Sequence, residues 1–424
     1  MTAASLRAGF CAALLGLLLF SVSCGDRPPA TSSVSIMGSI TGEGEATIAE
    51  VFAPFTAATG IEVTYEGTDQ FATLLTARIA AGNPPDIALF PQPGLMSDLA
   101  RSDRLVPLDR FLTPAQLNAA YTSHWLEQAA VKGQVYGLWA RASLKSLVWY
   151  SPPAFEAAGY EVPHTWGQLQ QLSDRIVADG GVPWCLGLES GAATGWVGTD
   201  WVEEFLLREA GPEVYDRWVA HDIPFSDPAV RQAFESFGEL VLDGDRVLGG
   251  PIGALSTPFG DSPVALFERP PGCYLHRQAS FIATFFPDRV EPGRDVSLFL
   301  LPGINPDFGN PVLVSGELFG LLNDTPAARA LMEYFTRVEP HTLWAAAEGF
   351  VSPHRQVALD TYANPNTRRQ AEILARAEVL RFDGSDLMPG AVGTGSFWSG
   401  VTDYIGGTNL ETVLAEIDAS WPDE

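Results

Sequence analysis

Residues 61–90 read IEVTYEGTDQFATLLTARIAAGNPPDIALF, and this stretch decides the fold. An alternating segment, a segment with apolar residues at helical spacing and a short apolar run follow one another, which predicts a strand, a helix and a second strand. The preceding residues show the same strand-helix order. The predicted elements are strands at 34–37, 61–65 and 86–90 and helices at 46–59 and 70–81. Because the connections are short, the order β-α-β-α-β predicts an α/β fold with a parallel sheet and helices packed on it.

Ligands of such sheets bind beyond the carboxyl ends of the strands. Three loops leave adjacent strand ends at one edge of the predicted sheet, namely 39–45, Thr68-Asp69 and 90–92. The sequence therefore predicts that these loops contribute to a ligand site, with Asp69 as one candidate contact.

The rest of the chain predicts a second lobe. A length of 424 residues is too great for one hydrophobic core, and a new α/β pattern starts after Ser151-Pro152-Pro153. Strand signals return near Leu298 and Val312, so the chain is expected to pass back between the lobes through a multi-strand hinge. The predicted division is lobe 1 at 34–143 with 312–350 returning to it, lobe 2 at 147–302 completed by 355–424, and crossings near 143–147, 302–314 and 350–356.

Composition limits the partners. A hydrophobic content of 46% with 18% charged residues is typical of a globular chain rather than a disordered one. The formal net charge of −26 disfavours nucleic acid and anionic membrane surfaces, since both bind basic patches. We therefore expect neither as a direct partner.

The N-terminus predicts export. Arg7 precedes an apolar run at 10–20 that is too short for a stable transmembrane helix and typical of a signal peptide. Small residues then precede Cys24, as in a bacterial lipobox. We predict a signal peptide at 1–23, a lipid on Cys24 and a tether at 24–33, which would anchor the protein to the outer face of the cytoplasmic membrane. A plain secretory signal and a periplasmic protein are the alternative.

Two cysteines, Cys185 and Cys273, remain after the N-terminal pair Cys11 and Cys24. The two lie far apart in the sequence and make a poor zinc site, so no metal site is predicted. In an oxidising compartment the two could form a disulfide; two buried free thiols are the alternative.

The segment 183–201, PWCLGLESGAATGWVGTDW, combines flat aromatic faces with short hydrogen-bonding side chains. That combination suits a polyhydroxylated ligand, whose CH faces stack and whose hydroxyls need partners. An ordinary loop beside a buried tryptophan is the alternative interpretation. The candidate contacts here are Glu189, Ser190, Thr194, Trp196 and Asp200. For Glu189, capping of a turn or pairing with an arginine is the alternative to binding two hydroxyls.

Other candidates are more isolated in sequence. Lys145 lies in an apolar stretch at the predicted lobe junction, where a buried charge needs a partner; a surface lysine is the alternative. Gln278 lies between apolar runs and faces either the cleft or the core. Trp398 begins a late helix and is either a stacking platform or a core residue. Glu317 and Trp344 complete the candidate set.

No motif marks a catalytic site or a cofactor. The sequence contains no G-x-S-x-G elbow, P-loop or H-E-x-x-H, and Asp383-Gly384-Ser385-Asp386 lacks the remaining ligands of a calcium loop. We predict a protein that is not an enzyme. Because the separation of two glycosidase carboxylates is set by the fold and leaves no local signature, a secreted glycosidase stays open as an alternative.

The order of features resembles the extracellular solute-binding proteins of carbohydrate ABC importers, the maltose-binding group. The resemblance covers nearly the whole mature chain and is carried by 60–65, 82–87, 145–150 and 396–398. A narrower similarity to the α-glucoside-binding subgroup is carried by 183–185, 189–201, 273–278 and 386–389.

This resemblance implies a two-lobed periplasmic-binding-protein type II fold that closes on a sugar and docks, as a monomer, on ABC permease subunits. It places Ser39 and Thr41 at first-lobe hydroxyl contacts, Gln92 near the third binding loop, Glu189 at a sugar-binding glutamate and Trp398 at a stacking tryptophan. Relatives that bind maltodextrin carry a charged pair where this chain has Thr41-Gly42 and a tryptophan near Phe90-Pro91. These departures favour a short α-glucoside such as maltose, trehalose or sucrose. A cationic solute such as a polyamine, prompted by the acidity, is the alternative ligand.

Overall fold

The computed structural model of the protein describes residues 32–91, 93–347 and 350–422. The predicted signal peptide, Cys24, most of the tether and Gln92 therefore lie outside the described residues. Within these ranges, no helix has both the length and the apolar character needed to cross a bilayer.

The strands form two main sheets, one of six strands and one of three, and a short hairpin. The strands are β1 Ser33–Gly38, β2 Glu62–Gly67, β3 Ile87–Phe90, β4 Ala130–Val131, β5 Gln134–Val135, β6 Gly137–Leu144, β7 Leu147–Tyr150, β8 His276–Arg277, β9 Ser297–Leu300, β10 Val312–Leu321 and β11 Leu380–Phe382.

Helices pack around both sheets. They are α1 Glu43–Thr59, α2 Phe71–Ala80, α3 Pro93–Arg101, α4 Pro114–Ala120, α5 Ser123–Gln128, α6 Pro152–Ala158, α7 Trp166–Ala178, α8 Trp196–Glu209, α9 Pro212–Val219, α10 Pro228–Leu242, α11 Gly250–Ser256, α12 Pro326–Phe335, α13 Val338–Ala347, α14 Pro365–Arg376, α15 Gly384–Leu387, α16 Trp398–Ile405 and α17 Leu410–Asp418.

The larger sheet confirms the predicted β-α-β-α-β unit. Strand β1 pairs in parallel with both β2 and β3, and the intervening helices α1 and α2 lie where the apolar periodicity predicts them. Strand β10 joins antiparallel to β3 on one side and to β6 on the other. The carboxyl ends of β1, β2 and β3 consequently share one edge, which is the edge that carries the predicted loops.

The smaller sheet has β7 at its centre, antiparallel to β8 and β9. Trp184 extends it through parallel bridges to Leu275 and Val247. A second cluster of buried apolar side chains, built largely from α8, α10, α16 and α17, covers this sheet. The α/β architecture with a sheet in each of two lobes is confirmed.

The first passage between the sheets is at Lys145-Ser146. The sequence predicts one strand over 144–150, but β6 ends at Leu144 in the larger sheet and β7 begins at Leu147 in the smaller one. The N–H of Lys145 donates to the Leu313 carbonyl at 2.8 Å, and the Leu313 N–H donates to Ser146 Oγ at 2.7 Å. The backbone at 145–146 therefore pairs with the second passage instead of continuing either sheet.

The third passage differs from the predicted one at 350–356. Val351 bridges Ala142 of β6, and the Arg355 N–H donates to the Ala120 carbonyl at 2.9 Å, so this segment stays against the larger sheet. The chain instead adds β11 to β10, at residues of β10 beyond the end of β3. It then crosses through Asp383 and Gly384. The structure thus assigns β11 to the larger sheet, where the sequence prediction placed 355–424 in lobe 2.

Arg208 holds the second passage in place. Its guanidinium is fully buried and donates to the carbonyls of Pro302 at 3.2 Å, Leu301 at 3.1 Å and Pro311 at 2.8 Å. It also pairs with Glu204, one turn earlier on α8. Because this connection has little sheet pairing of its own, one side chain supplies partners for carbonyls that would otherwise be buried without them.

Replacing Arg208 with methionine should lower the free energy of unfolding by about 3–5 kcal/mol, because it leaves Glu204 and the crossing carbonyls without that donor. The matched control is Arg294→Met, which removes an arginine that forms ion pairs on the surface and should change stability little. Urea unfolding followed by tryptophan fluorescence measures both variants. Equal unfolding midpoints for the two variants would contradict this role of Arg208.

Candidate functional site

A cleft of about 920 Å³ lies between the two lobes, against the passages that connect them. Its walls come from the loop after β1, from β6 and β10, from the start of α8, from the turn at Ser280–Phe285 and from the segment 385–398. Among the described residues, seven predicted contacts line this cleft: Ser39, Thr41, Lys145, Ser190, Trp196, Glu317 and Trp398.

The lobe 1 edge contributes the loop after β1. The Ile40 N–H donates to the Tyr65 hydroxyl at 3.0 Å, which fixes this loop on β2 and leaves Ser39 and Thr41 at the cleft. Asp69, at the end of β2, is exposed and does not line the cleft. Pro91 lines it, next to the undescribed Gln92. The strand-end rule therefore holds for the loop after β1 and for Pro91, whereas Thr68 and Asp69 do not line the cleft.

An aromatic wall, defined here as Trp196, Phe259, Phe281 and Phe285, forms the lobe 2 side. The ring of Trp196 lies 5.3 Å from that of Phe259 and 5.7 Å from that of Phe281, and Phe259 lies 5.1 Å from Phe285. The sequence prediction named only Trp196. Three phenylalanines within 281–286 were the available signal, but a phenylalanine is more often a core residue.

Trp196 and Trp398 lie in neighbouring segments because Gly195 has no side chain. Gly195 has a φ of 111°, and a β-carbon there would collide with the carbonyl oxygen of Trp398. The backbones at 195 and 398 are therefore in close contact, which only glycine allows at this position. The aromatic residues from two distant parts of the sequence consequently line one cleft.

On the lobe 1 side, Arg141 and Glu317 form a charged pair across β6 and β10. Arg141 donates through two nitrogens to the two carboxylate oxygens of Glu317, one of these bonds being 2.9 Å long. The Arg141 guanidinium also lies 3.7 Å from the centre of the Phe350 ring. The sequence prediction named Glu317 but missed Arg141 and Ser143, whose hydroxyl has no hydrogen-bond partner among the described residues.

Lys145 is a buried charge with partners. Its Nζ lies 2.7 Å from Asp200 Oδ1, also pairs with Asp383, and is 5.3 Å from the Trp196 ring centre. Asp200 does not line the cleft; it is fully buried and also pairs with Arg277 at 3.3 Å. Burial raises the pKa of Asp200 to about 7, against the opposing effect of Lys145 and Arg277.

The remaining candidates have structural contacts outside the cleft lining. Glu189 accepts a hydrogen bond from the Gly191 N–H at 2.8 Å, so it caps a turn, which was the alternative to a ligand contact. The Thr194 hydroxyl donates to the Gly191 carbonyl. Gln278 is fully buried and accepts from the Ala279 N–H. Trp344 is buried beside Phe319 and Phe335.

Cys185 and Cys273 form the disulfide that was one of the two predicted outcomes, with a Cα–Cα distance of 5.4 Å. The bond ties the start of the 183–201 segment to the segment that continues into β8. His276 Nδ1 lies 3.0 Å from the Cys185 carbonyl oxygen, and burial lowers the pKa of this imidazole to about 4. The disulfide thus fixes two segments on which the lobe 2 side of the cleft is built.

Comparison with known proteins gives consistent matches over most of the chain. A family model described as bacterial extracellular solute-binding protein matches residues 38–340. The osmoprotective compounds-binding protein GgtB of Synechocystis sp. is 55% identical over 389 residues, covering 92% of each chain. The alpha-glucosides-binding periplasmic protein AglE of Rhizobium meliloti is 43% identical over 397 residues, covering 92% of this chain and 87% of that one.

Solved structures match the fold. The bacterial solute receptor AcbH superposes with a TM-score of 0.78 at 19% identity, covering 92% of this chain and 97% of that one. Maltose-bound MalE3 of T. maritima superposes with a TM-score of 0.70 at 16% identity, covering 92% and 98%. At these identities the matches establish the two-lobed fold alone.

Removing the disulfide should destabilise the protein without unfolding it under native conditions. The two cysteines are 88 residues apart, and a cross-link that closes so long a loop contributes on the order of 4 kcal/mol in the chain-entropy model. The double variant Cys185→Ala, Cys273→Ala should therefore unfold at lower urea than the wild type. Dithiothreitol should lower the urea midpoint of the wild type and leave that of the variant unchanged. If the wild-type midpoint does not change although the disulfide is shown to be reduced, the prediction is wrong.

Proposed function

The chain belongs to the family of bacterial extracellular solute-binding proteins, and we propose that it captures a short α-glucoside or related small sugar for uptake by an ABC importer. In this proposal the sugar binds in the cleft between the lobes. Ser39, Thr41, Ser143 and Ser190 contact its hydroxyls, and Trp196 and Trp398 contact its CH faces.

The observation that carries this proposal is the composition of the cleft. One side is an aromatic wall, and the other presents short hydroxyl side chains from the loop after β1 and from β6. Aromatic faces stack on the apolar faces of a sugar ring, while serine and threonine hydroxyls both donate and accept, as sugar hydroxyls require. The Ser143 hydroxyl, unpaired within the described part of the protein, is suited to a ligand oxygen.

The pairing of charges supports a neutral ligand over a cation. Among the described lining residues, Lys145 and Arg141 have carboxylate partners within the protein, and the Glu317 carboxylate is bound by Arg141 through both oxygens. A polyamine needs carboxylates that are free to bind ammonium groups. Of the two described carboxyl groups that line the cleft, Glu317 is occupied and only Asp386 has no described partner. One free carboxyl group is fewer than the several ammonium groups of a polyamine need, which disfavours the cationic solute that the overall acidity suggested.

The relatives support the ligand class. One is described by its name as binding osmoprotective compounds and the other as binding alpha-glucosides. We propose that this chain shares a ligand common to both descriptions, and maltose, trehalose and sucrose are the first candidates. We also propose that it acts as a monomer, that a lipid on Cys24 holds it at the membrane, and that it delivers the sugar to permease subunits.

We further propose that the protein is a receptor and not a glycosidase. Glycoside hydrolysis generally uses two carboxyl groups, and of the two described carboxyl groups that line the cleft Glu317 is bound by Arg141 through both oxygens, which leaves only Asp386 free of a partner. Incubation with a chromogenic α-glucoside measures hydrolysis directly. Release of the chromophore at a rate that depends on Glu317 or on Asp386 would overturn this part of the proposal.

Isothermal titration with maltose, trehalose and sucrose should show binding of at least one of them, and Trp398→Ala should weaken it about tenfold. Loss of a stacked aromatic face costs roughly 0.5–1.5 kcal/mol beyond the lost apolar contact. The control Trp166→Ala removes a half-buried tryptophan of α7 that lines a different groove, so affinity should stay unchanged. If none of the three sugars binds, or if the two variants change the affinity equally, the result would count against the proposal.

A further inference from the structure

Asp386 is a buried acid at the cleft that the proposed sugar site has not used. It lies in α15, lines the cleft and is 9% exposed. Its backbone N–H donates to Asp383 Oδ1 at 3.0 Å. Its carboxyl group, by contrast, has no hydrogen bond or ion pair to any described residue.

The charged groups around Asp386 are already paired with one another. The β6–β7 connection contributes Lys145, which is bound by Asp383 and by Asp200 of α8. Arg277 of β8 binds Asp200 and Glu204. Glu203 of α8 accepts from the hydroxyl of Tyr215 of α9 and from two backbone N–H groups of α15. The charged residues of α3, Asp98 and Arg101, pair at its exposed end.

Electrostatics and burial therefore favour the protonated form of Asp386. The nearest cation, Lys145, is shared between two other carboxylates, so a third negative charge would be buried without compensation. Burial raises the pKa of Asp386 well above its usual range, and Asp383 and Asp200 raise it further, while Lys145 opposes them. Asp383, which is in contact with Lys145, instead has a lowered pKa and carries the charge.

We propose that Asp386 binds the sugar as a neutral carboxylic acid, donating its hydroxyl proton to a ligand oxygen, so that affinity falls as this proton is lost. This inference rests on the proposed sugar-binding function. An ionised carboxylate only accepts hydrogen bonds, whereas the neutral acid donates one and accepts others. It can thus bond to a glycosidic or ring oxygen, which has no proton to give, without placing a charge in a closing cleft.

Two substitutions distinguish the neutral acid from an ionised one. Asp386→Asn keeps a neutral, planar group that donates, so affinity for the tightest-binding sugar of maltose, trehalose and sucrose should stay within about threefold at pH 6. Asp386→Leu leaves the ligand oxygen unpaired and should weaken binding about tenfold or more. Full affinity in Asp386→Leu, or a tenfold loss in Asp386→Asn at pH 6, would overturn the proposal.

The dependence of sugar affinity on pH is a further test, because a purely structural role of Asp386 would not change it. Wild-type affinity should fall as pH rises from 6 to 9, since the ligand binds the protonated form, and Asp386→Asn should flatten this dependence. Asp69→Asn, a matched change at an exposed residue outside the cleft, should keep the wild-type profile. A wild-type profile that Asp386→Asn leaves unaltered would also overturn the proposal.

An infrared difference spectrum between wild type and Asp386→Asn at pH 7 needs no sugar. It should show the carbonyl band of a protonated carboxylic acid in the wild type, and its absence would overturn the proposal. Because this measurement is independent of any ligand, it separates the two hypotheses. Failure of every sugar to bind would overturn the proposed function and, with it, the ligand contact of Asp386, whereas sugar binding with no protonated band would overturn the inference about Asp386 alone.

Discussion

The ion pairs of Lys145 with Asp200 and Asp383 are the interaction on which the rest of the structure depends. Lys145 lies in the first passage between the sheets, Asp383 in the third, and Asp200 in the first turns of α8. The three groups therefore tie two passages to one lobe 2 helix. Removing the ammonium would leave two carboxylates buried side by side, at a cost that a surface pair never incurs.

Helix α8 extends this arrangement along one face. Four of its polar side chains are buried. Asp200 binds Lys145, and Glu203 binds the backbone of α15. Glu204 binds Ser146 and Arg277, and Arg208 binds the second passage. Polar side chains at this spacing resemble the solvent face of a helix. Here they face the passages, because irregular backbone between two sheets has hydrogen-bonding groups that neither sheet satisfies. Of the residues that fix the passages, Lys145 also lines the cleft.

The regular parts of the fold could be predicted from the sequence alone. The β-α-β-α-β unit at 33–90 follows from local periodicity, because its hydrogen bonds join elements close in sequence. The third passage at 383–384 was not predictable in this way, since β11 pairs with a strand more than sixty residues earlier along the free edge of β10. A crossing near 143–147 was predicted, but the break of the apolar run at Lys145-Ser146 was not, since it depends on the distant partners Leu301 and Leu313.

Prediction of the cleft side chains has the same limit, because their roles also depend on residues distant in sequence. Trp196 and Trp398 were identifiable because tryptophan beside small residues is an unusual local combination. By contrast, Phe259, Phe281 and Phe285 look locally like core residues, and no local pattern marks Arg141 as a cleft residue. Glu189 shows the reverse: its local setting suggests a ligand contact, but the Gly191 N–H two residues later satisfies it. A polar residue's role depends on whether the fold supplies its partner. That criterion separates Glu189, which is paired within the protein, from Ser143 and Asp386, whose polar groups lie at the cleft and have no partner among the described residues.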